Sequence, residues 1–302
     1  MYERFYGLRE RPFSLLPDPS FLYPSEQHHM ALTLLEYSLM NQAGFCVLSG
    51  GIGTGKTTLI RHLLSQLEKD VTVGLISNTH RAFGELLQWV LVAFGIDAAG
   101  KDKAGMHNAF VNFMIGEYAK GRRTLLIIDE AQNLGAETLE ELRMLSNINA
   151  DKDQVLQVFL VGQPGLRDLL LRPDLEQFAQ RIVVDYHLEP LDTAETTAYI
   201  RHRITVAGGD AMLFDDPACE AVYRYSRGTP RLINLLCDTA LVFGYGARAK
   251  RIDGNLVEEV AQAKRKGGIF PGTRGTGGQT APGSDSEHET ATPAADGKKK
   301  SA

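Results

Sequence analysis

Ten residues, Ser49-Gly50-Gly51-Ile52-Gly53-Thr54-Gly55-Lys56-Thr57-Thr58, follow directly on the apolar run Phe45-Cys46-Val47-Leu48 and lead into a segment with apolar residues at helical spacing. A strand that enters a helix through a glycine-crowded loop narrows the possible folds sharply. The same alternation continues along the chain. Apolar, β-rich runs occur at Phe45 to Ser49, Val71 to Ser77, Thr124 to Asp129, Val155 to Val161 and Ile182 to Leu188. Between them, Leu59 to Leu67, Phe83 to Phe94, Asn108 to Tyr118 and Glu137 to Leu145 carry apolar residues three and four apart. This predicts an α/β core built on a parallel sheet of five strands.

After Leu188 the strand-like runs stop, and Ala194 to Val206, Pro217 to Tyr225, Arg231 to Phe243 and Asn255 to Lys266 read as helices of a smaller domain. The expected division is an N-terminal arm and helix over 1–44, the α/β core over 45–189, a helical domain over 190–266 and a tail over 267–302. The tail is rich in Gly, Thr, Pro, Ser and Ala and has no large apolar residue after Phe270, so disorder is expected there. Its Lys298-Lys299-Lys300 reads as a solvated charge run.

Composition excludes some functions. The 302 residues balance 32 basic against 37 acidic side chains, for a formal net charge of -5, so no global attraction draws the chain to nucleic acid or an anionic membrane. No apolar run approaches the roughly 18 residues of a membrane span. Met1-Tyr2-Glu3-Arg4 is not followed by a signal-peptide core, and the cytoplasm is the expected compartment. Cys46, Cys219 and Cys237 are widely spaced in apolar surroundings, as buried thiols are.

The opening loop matches the phosphate-loop spacing: Gly50, four residues, then Gly55-Lys56-Thr57. Glycines let backbone N–H groups close around a phosphate, and the helix N-terminus adds partial positive charge. Gly50, Gly51, Ile52, Gly53, Thr54, Gly55, Lys56, Thr57 and Thr58 are therefore the candidate phosphate-binding residues. Lys56 would reach the β- and γ-phosphates, and the Thr57 hydroxyl would ligate Mg²⁺. Thr124-Leu125-Leu126-Ile127-Ile128 ends in Asp129-Glu130, two carboxylates where a parallel sheet presents its ligand edge. Asp129 is the second candidate for Mg²⁺, and Glu130 is the candidate that polarises an attacking water.

With the further strand at Val155 to Val161 and the helical segments after it, these motifs resemble the AAA+ ATPases. More specifically, Phe5-Tyr6-Gly7-Leu8, Arg11-Pro12-Phe13, Pro17-Asp18-Pro19, Phe21-Leu22-Tyr23, Asp129-Glu130-Ala131-Gln132, Val161-Gly162-Gln163-Pro164 and Gly228-Thr229-Pro230-Arg231-Leu232-Ile233-Asn234 resemble the ExeA (secretion protein A) family. That family includes ATPases of type II secretion, of pilus biogenesis and of exosortase and exopolysaccharide systems. The resemblance spans about residues 1–266 and excludes the tail. It implies a P-loop NTPase (AAA+) core with a C-terminal helical lid, ATP and Mg²⁺ as cofactors, and a homo-oligomer. It also implies an envelope-assembly or inner-membrane protein partner, to which the chain would attach peripherally.

Residue roles follow from the same resemblance. Gln163 matches a polar sensor between the catalytic glutamate and the γ-phosphate, or makes a Gln-Pro turn. Arg231 matches a second sensor arginine, or simply stands at a helix start after Pro230. Arg181 is the candidate arginine finger for a neighbouring subunit, or an ion-paired arginine at a strand edge. Asn78 would couple partner binding to Glu130, or cap a turn. Leu22, Tyr23 and Pro24 would border the adenine, or pack an N-terminal arm. His28 and His29 read as surface or packing residues, because adjacent helical positions diverge.

Two departures accompany the resemblance. Gly51 stands where relatives commonly carry an acidic residue, and the chain ends in a polar tail where the longest relatives continue into a membrane helix and a peptidoglycan-binding domain. A DNA-binding regulator related to transposition ATPases is the alternative, disfavoured by the net charge and by the absence of a dense Lys/Arg helix.

Overall fold

The computed structural model describes residues 1–67, 70–77, 85–150 and 153–267. The expectations for Asn78 and for the tail from residue 268 onward lie outside the described residues. Five strands form the central sheet: β1 (Phe45–Gly50), β2 (Val71–Ile76), β3 (Arg123–Ile128), β4 (Leu156–Gly162) and β5 (Ile182–Leu188). All neighbours are parallel, in the spatial order β2-β3-β4-β1-β5. Around the sheet lie α1 (Glu26–Met40), α2 (Lys56–Gln66), α3 (Leu86–Ala93), α4 (Lys103–Ala119) and α5 (Ala136–Leu145). The helical domain comprises α6 (Thr193–Val206), α7 (Asp216–Ser226), α8 (Pro230–Gly246) and α9 (Gly254–Lys266).

The three central strands are buried and apolar over most of their length because both faces are covered, whereas the edge strands β2 and β5 are partly exposed. Phe45, Val47, Leu126, Ile128, Val158 and Leu160 face one layer, with α3, α4 and α5. The intervening Cys46, Leu48, Leu125, Ile127, Phe159 and Val161 face the other, with Ala31, Leu35 and Leu39 of α1 and Leu59 and Leu63 of α2. Period-two alternation thus splits one run of hydrophobes between two cores. A third core belongs to the helical domain, and Tyr2, Leu8, Phe13 and Phe21 of the N-terminal arm are buried within it. The arm therefore reaches across the molecule to pack on the C-terminal helices.

Capping explains where several helices begin. Asp102 accepts from the Gly105 N–H and starts α4 five residues before the periodic apolar pattern is evident at Asn108. Asp192 and Glu195 form a reciprocal capping box on α6. The three cysteines are free and buried, and burial pushes the Cys46 and Cys219 thiols up to about 11. Among the described residues no helix is long and apolar enough to cross a membrane.

Candidate functional site

The strand order decides which loop ends meet. Because β4 lies between β3 and β1, the carboxyl ends of these three strands bring Asp129-Glu130, Gln163 and the glycine loop side by side. Facing them across a cavity of about 210 Å³ are the N-terminal arm and the first turn of α8. Lys56, Thr57, Glu130, Gln163 and Arg231 all line it.

Two glycines of the loop are required by geometry. Gly53 has φ +82°, and a Cβ there would lie 2.6 Å from Arg231 Cβ; Gly55 has φ +103°, and a Cβ there would lie 2.9 Å from His28 Nε2. Any side chain would meet both backbone strain and a clash. Gly55 then N-caps α2, placing Lys56 and Thr57 in its first turn. The Lys56 ammonium, only 7% exposed, donates to the carbonyls of Gly50 and Gly51, each at 2.8 Å. Burial lowers its pKa below the ordinary amine value, and the charges of Glu130 and Asp129 oppose that shift. Thr54 is buried and donates its hydroxyl to Gly51 O, bracing the loop from inside. Ile52, at the loop tip, is exposed, and Thr58 lines the cavity beside Thr57.

Thr57 Oγ1 donates to Asp129 Oδ2 at 3.1 Å, so the hydroxyl and the carboxylate proposed for one cation are in contact. Glu130 follows with φ +55°, a left-handed conformation uncommon for a residue with a side chain. Its Oε2 accepts from Gln132 Nε2 at 2.6 Å and from Gln163 Nε2 at 3.1 Å. Gln132 Oε1 in turn accepts from the Gln163 backbone N–H at 2.9 Å, closing a ring of amides around the carboxylate. The Arg231 N–H donates to Gly53 O, joining the lid helix to the loop.

Arg181 lies apart from this group. At the start of β5, its Nη1 donates to Ser146 Oγ at 3.2 Å and to Asn147 Oδ1, both just beyond α5. Leu22 and Tyr23 line the cavity, whereas Pro24 does not number among its lining residues. His29 is exposed, but His28 is buried: its Nδ1 meets Ser25 Oγ at 2.7 Å and its Nε2 meets the Thr54 carbonyl at 3.2 Å. Of the two readings, surface or packing, His28 therefore takes the second, and what it packs against is the phosphate loop. Sequence reasoning also missed Gln132, visible only as a letter of the Asp-Glu-Ala-Gln motif. It missed Arg203 and Tyr199, which line the cavity and carry no motif, and Asn234, which stood only as the last letter of the Gly-Thr-Pro-Arg-Leu-Ile-Asn motif.

A parallel sheet with a phosphate loop after β1, paired carboxylates after β3 and a polar residue after the intervening β4 defines a P-loop NTPase of the AAA+ class. A family model described as an AAA domain matches residues 39–170. General secretion pathway protein A of Aeromonas hydrophila is 41% identical over 255 residues, which cover 83% of this chain and 46% of that protein. The chain belongs to the ExeA (secretion protein A) family of AAA+ ATPases, and it spans under half the length of that relative. The ATP-dependent target DNA activator B of Escherichia phage Mu is 27% identical over 143 residues, covering 47% of this chain and 42% of that protein. Among solved structures, the Aeropyrum pernix ORC2 protein superposes with a TM-score of 0.64 at 18% identity, covering 84% of this chain and 71% of that one. Cdc6p from Pyrobaculum aerophilum gives 0.60 at 16% identity, covering 82% and 71%. These two likenesses are of fold.

Proposed function

We propose that the chain binds ATP with Mg²⁺ in the cavity between core and lid, hydrolyses it, and couples the cycle to an envelope export, pilus or exopolysaccharide assembly system. The observation that supports this reading most directly is the ring of Glu130, Gln132 and Gln163 set beside Lys56 and the Thr57–Asp129 pair. The residues suit the cofactor: a hydroxyl and a carboxylate in contact form the sparse, hard-oxygen donor set that Mg²⁺ takes from a protein when phosphates supply the rest. Bound there, Mg²⁺ would neutralise charge on the phosphates.

The protein's own part follows from the geometry. Lys56 exchanges two loop carbonyls for phosphate oxygens, a stronger, charge-assisted interaction. Glu130 takes the proton of the attacking water, with Gln132 and Gln163 fixing the plane of its carboxylate. Arg231, seated against Gly53 at the head of α8, senses the γ-phosphate and moves the lid when that group leaves. Arg181, outside its own cavity, serves the site of a neighbouring copy in a homo-oligomer. The chain works at the cytoplasmic face of the inner membrane, held there by a partner.

Phosphate release with and without Mg²⁺ tests the enzymatic core of this reading, and release at the no-protein rate would refute it. Mixing tests the oligomeric part: Glu130→Gln and Arg181→Ala chains, each inactive alone, should regain hydrolysis together. Mixed oligomers without activity would confine Arg181 to its own chain. The likeness to a DNA activator supports a second reading, a DNA-binding regulator, and salt-dependent binding to duplex DNA would favour it over the first.

A further inference from the structure

Four carbonyls of the phosphate loop are held by three different donors. Gly50 O and Gly51 O accept from the Lys56 ammonium, Gly53 O accepts from the Arg231 N–H at 3.2 Å, and Thr54 O accepts from His28 Nε2 at 3.2 Å. The first donor is the group that meets phosphate in the proposed cycle, and the second rides on the lid. The third belongs to neither. His28 sits in the first turn of α1, and α1 is fixed to the sheet through Ala31, Leu35 and Leu39 in the core it shares with α2.

The state of the buried ring follows from its partners. A carbonyl can only accept, so Nε2 carries the hydrogen, and Nδ1 takes that of the Ser25 hydroxyl at 2.7 Å. Ser25 Oγ, capping α1, in turn accepts from the His28 N–H at 3.3 Å. Both ring nitrogens are thereby satisfied in the neutral form. The ring lies directly against Gly55, where a Cβ would come within 2.9 Å of Nε2. Because a trans peptide is planar, with its C=O and N–H pointing in opposite directions, holding Thr54 O on the imidazole turns the Gly55 N–H away from the ring. Gly55 heads α2, beside the first-turn amides that gather anions.

We propose that His28 is a positioning residue for the β-phosphate: by holding the Thr54 carbonyl outward, it keeps the Gly55 N–H aimed at that phosphate. The inference rests on the reading of the cavity as an ATP site. When the nucleotide draws Lys56 from Gly50 O and Gly51 O, or the lid moves Arg231, the bond from α1 stays in place. An amide fixed in advance needs no reordering as the anion arrives. Since the β-phosphate is held alike in ground state and transition state, the effect falls on binding and spares turnover.

Two amide substitutions separate where the donor stands from its polarity. In His28→Gln the side-chain NH₂ reaches the place of Nε2, whereas in His28→Asn it reaches only as far as Nδ1. Equilibrium binding of ATP and ADP with Mg²⁺, and steady-state phosphate release, are measured on the full chain. His28→Asn should bind both nucleotides more weakly by the same factor, about 10-fold or more, the scale of one hydrogen bond to a charged group. KM for ATP should rise in step with kcat little changed, and His28→Gln should restore both affinities. The Gly55 amide proton, followed by NMR, should move downfield on ADP binding in the wild type and in His28→Gln, and less in His28→Asn. If both variants bind like the wild type, or both weaken alike, the donor does not position the loop and the proposal is overturned. Weakening of ATP without ADP would place the effect at the γ-phosphate and overturn it too. If His28→Asn does not melt cooperatively, Ser25→Ala carries the test: it keeps the imidazole and removes the hydroxyl that orients it. ATP and ADP should then weaken equally by a smaller factor, and unchanged affinities would overturn the proposal. A wild type that binds neither nucleotide would remove the reading of the cavity itself. A wild type that binds both, matched by His28→Asn, would remove only the role of His28.

Discussion

At the amino end of the sheet, Glu117 accepts from Arg122 Nη2 at 2.7 Å, Lys120 Nζ at 2.9 Å and the Thr72 hydroxyl, and Asp70 accepts from Arg123 at 2.8 Å. At the carboxyl end, Asp129 and Glu130 accept from a threonine hydroxyl and two glutamine amides, and the Lys56 ammonium rests on backbone carbonyls. The first end pairs each of these carboxylates with a cation. The second holds its charges through hydrogen bonds from neutral groups, with Glu130 and Asp129 near enough to Lys56 for their charges to act on it. Charge locked into ion pairs serves stability, whereas charge held mainly by neutral groups is available to bind and react.

Lys56→Ala would break the carboxyl end most severely. ATP binding should fall below detection by calorimetry, because the buried cation proposed to meet the phosphates is gone, while the melting transition remains cooperative. Tight binding by the folded variant would remove the phosphate loop from the mechanism.

Glu130→Gln keeps the amide ring nearly isosteric and removes the proposed base. Turnover should drop by about 10²-fold or more with ATP affinity preserved. Undiminished phosphate release would place the base elsewhere.

Glu117→Gln should do the reverse at the amino end. Hydrolysis stays unchanged, and stability to urea falls by about 1–2 kcal/mol, modest because the Arg122 and Lys120 partners are 38% and 60% exposed. Arg122 foremost holds the Glu117 carboxyl at about 2, below its ordinary 4.5. Its stabilisation is therefore complete above pH 4.5 and drains away as pH falls toward 2, an acid limb the variant should lack. A loss of turnover without a loss of stability would dissolve the contrast between the two ends.

The smallest effect concerns His28, whose buried ring is held below the ordinary histidine value by desolvation. The unfolded chain binds the proton more readily, so stability should decline as pH falls through 6.5 and below. His28→Asn should flatten that slope in part, His202 being shifted the same way by burial. An unchanged slope would show that His28 takes up its proton as readily in the fold as in the unfolded chain.

Much of this was legible in one dimension. Glycine spacing, the apolar run ending in Asp129-Glu130 and the change of period after Leu188 are local signals, and local signals survive in a sequence because they specify backbone conformation or burial along a single element. The start of α4 was less legible, since one aspartate at Asp102 outweighed a glycine two positions into the helix. His28 was legible as a surface or packing residue but not as a support of the loop. Its partner, the Thr54 carbonyl, is a backbone group 26 residues away that no side-chain pattern announces.

The sequence by itself determined the elements, the class of the fold and the loop that bears Lys56 and Thr57. The tertiary structure alone decided that β4 inserts between β3 and β1, which sets Gln163 against Glu130. It alone carried the N-terminal arm onto the helical domain, where Pro12, Phe21 and Arg203 meet. The reason is physical: strand order and arm docking minimise exposed surface over the whole chain, a sum of contacts between distant residues that no local pattern encodes.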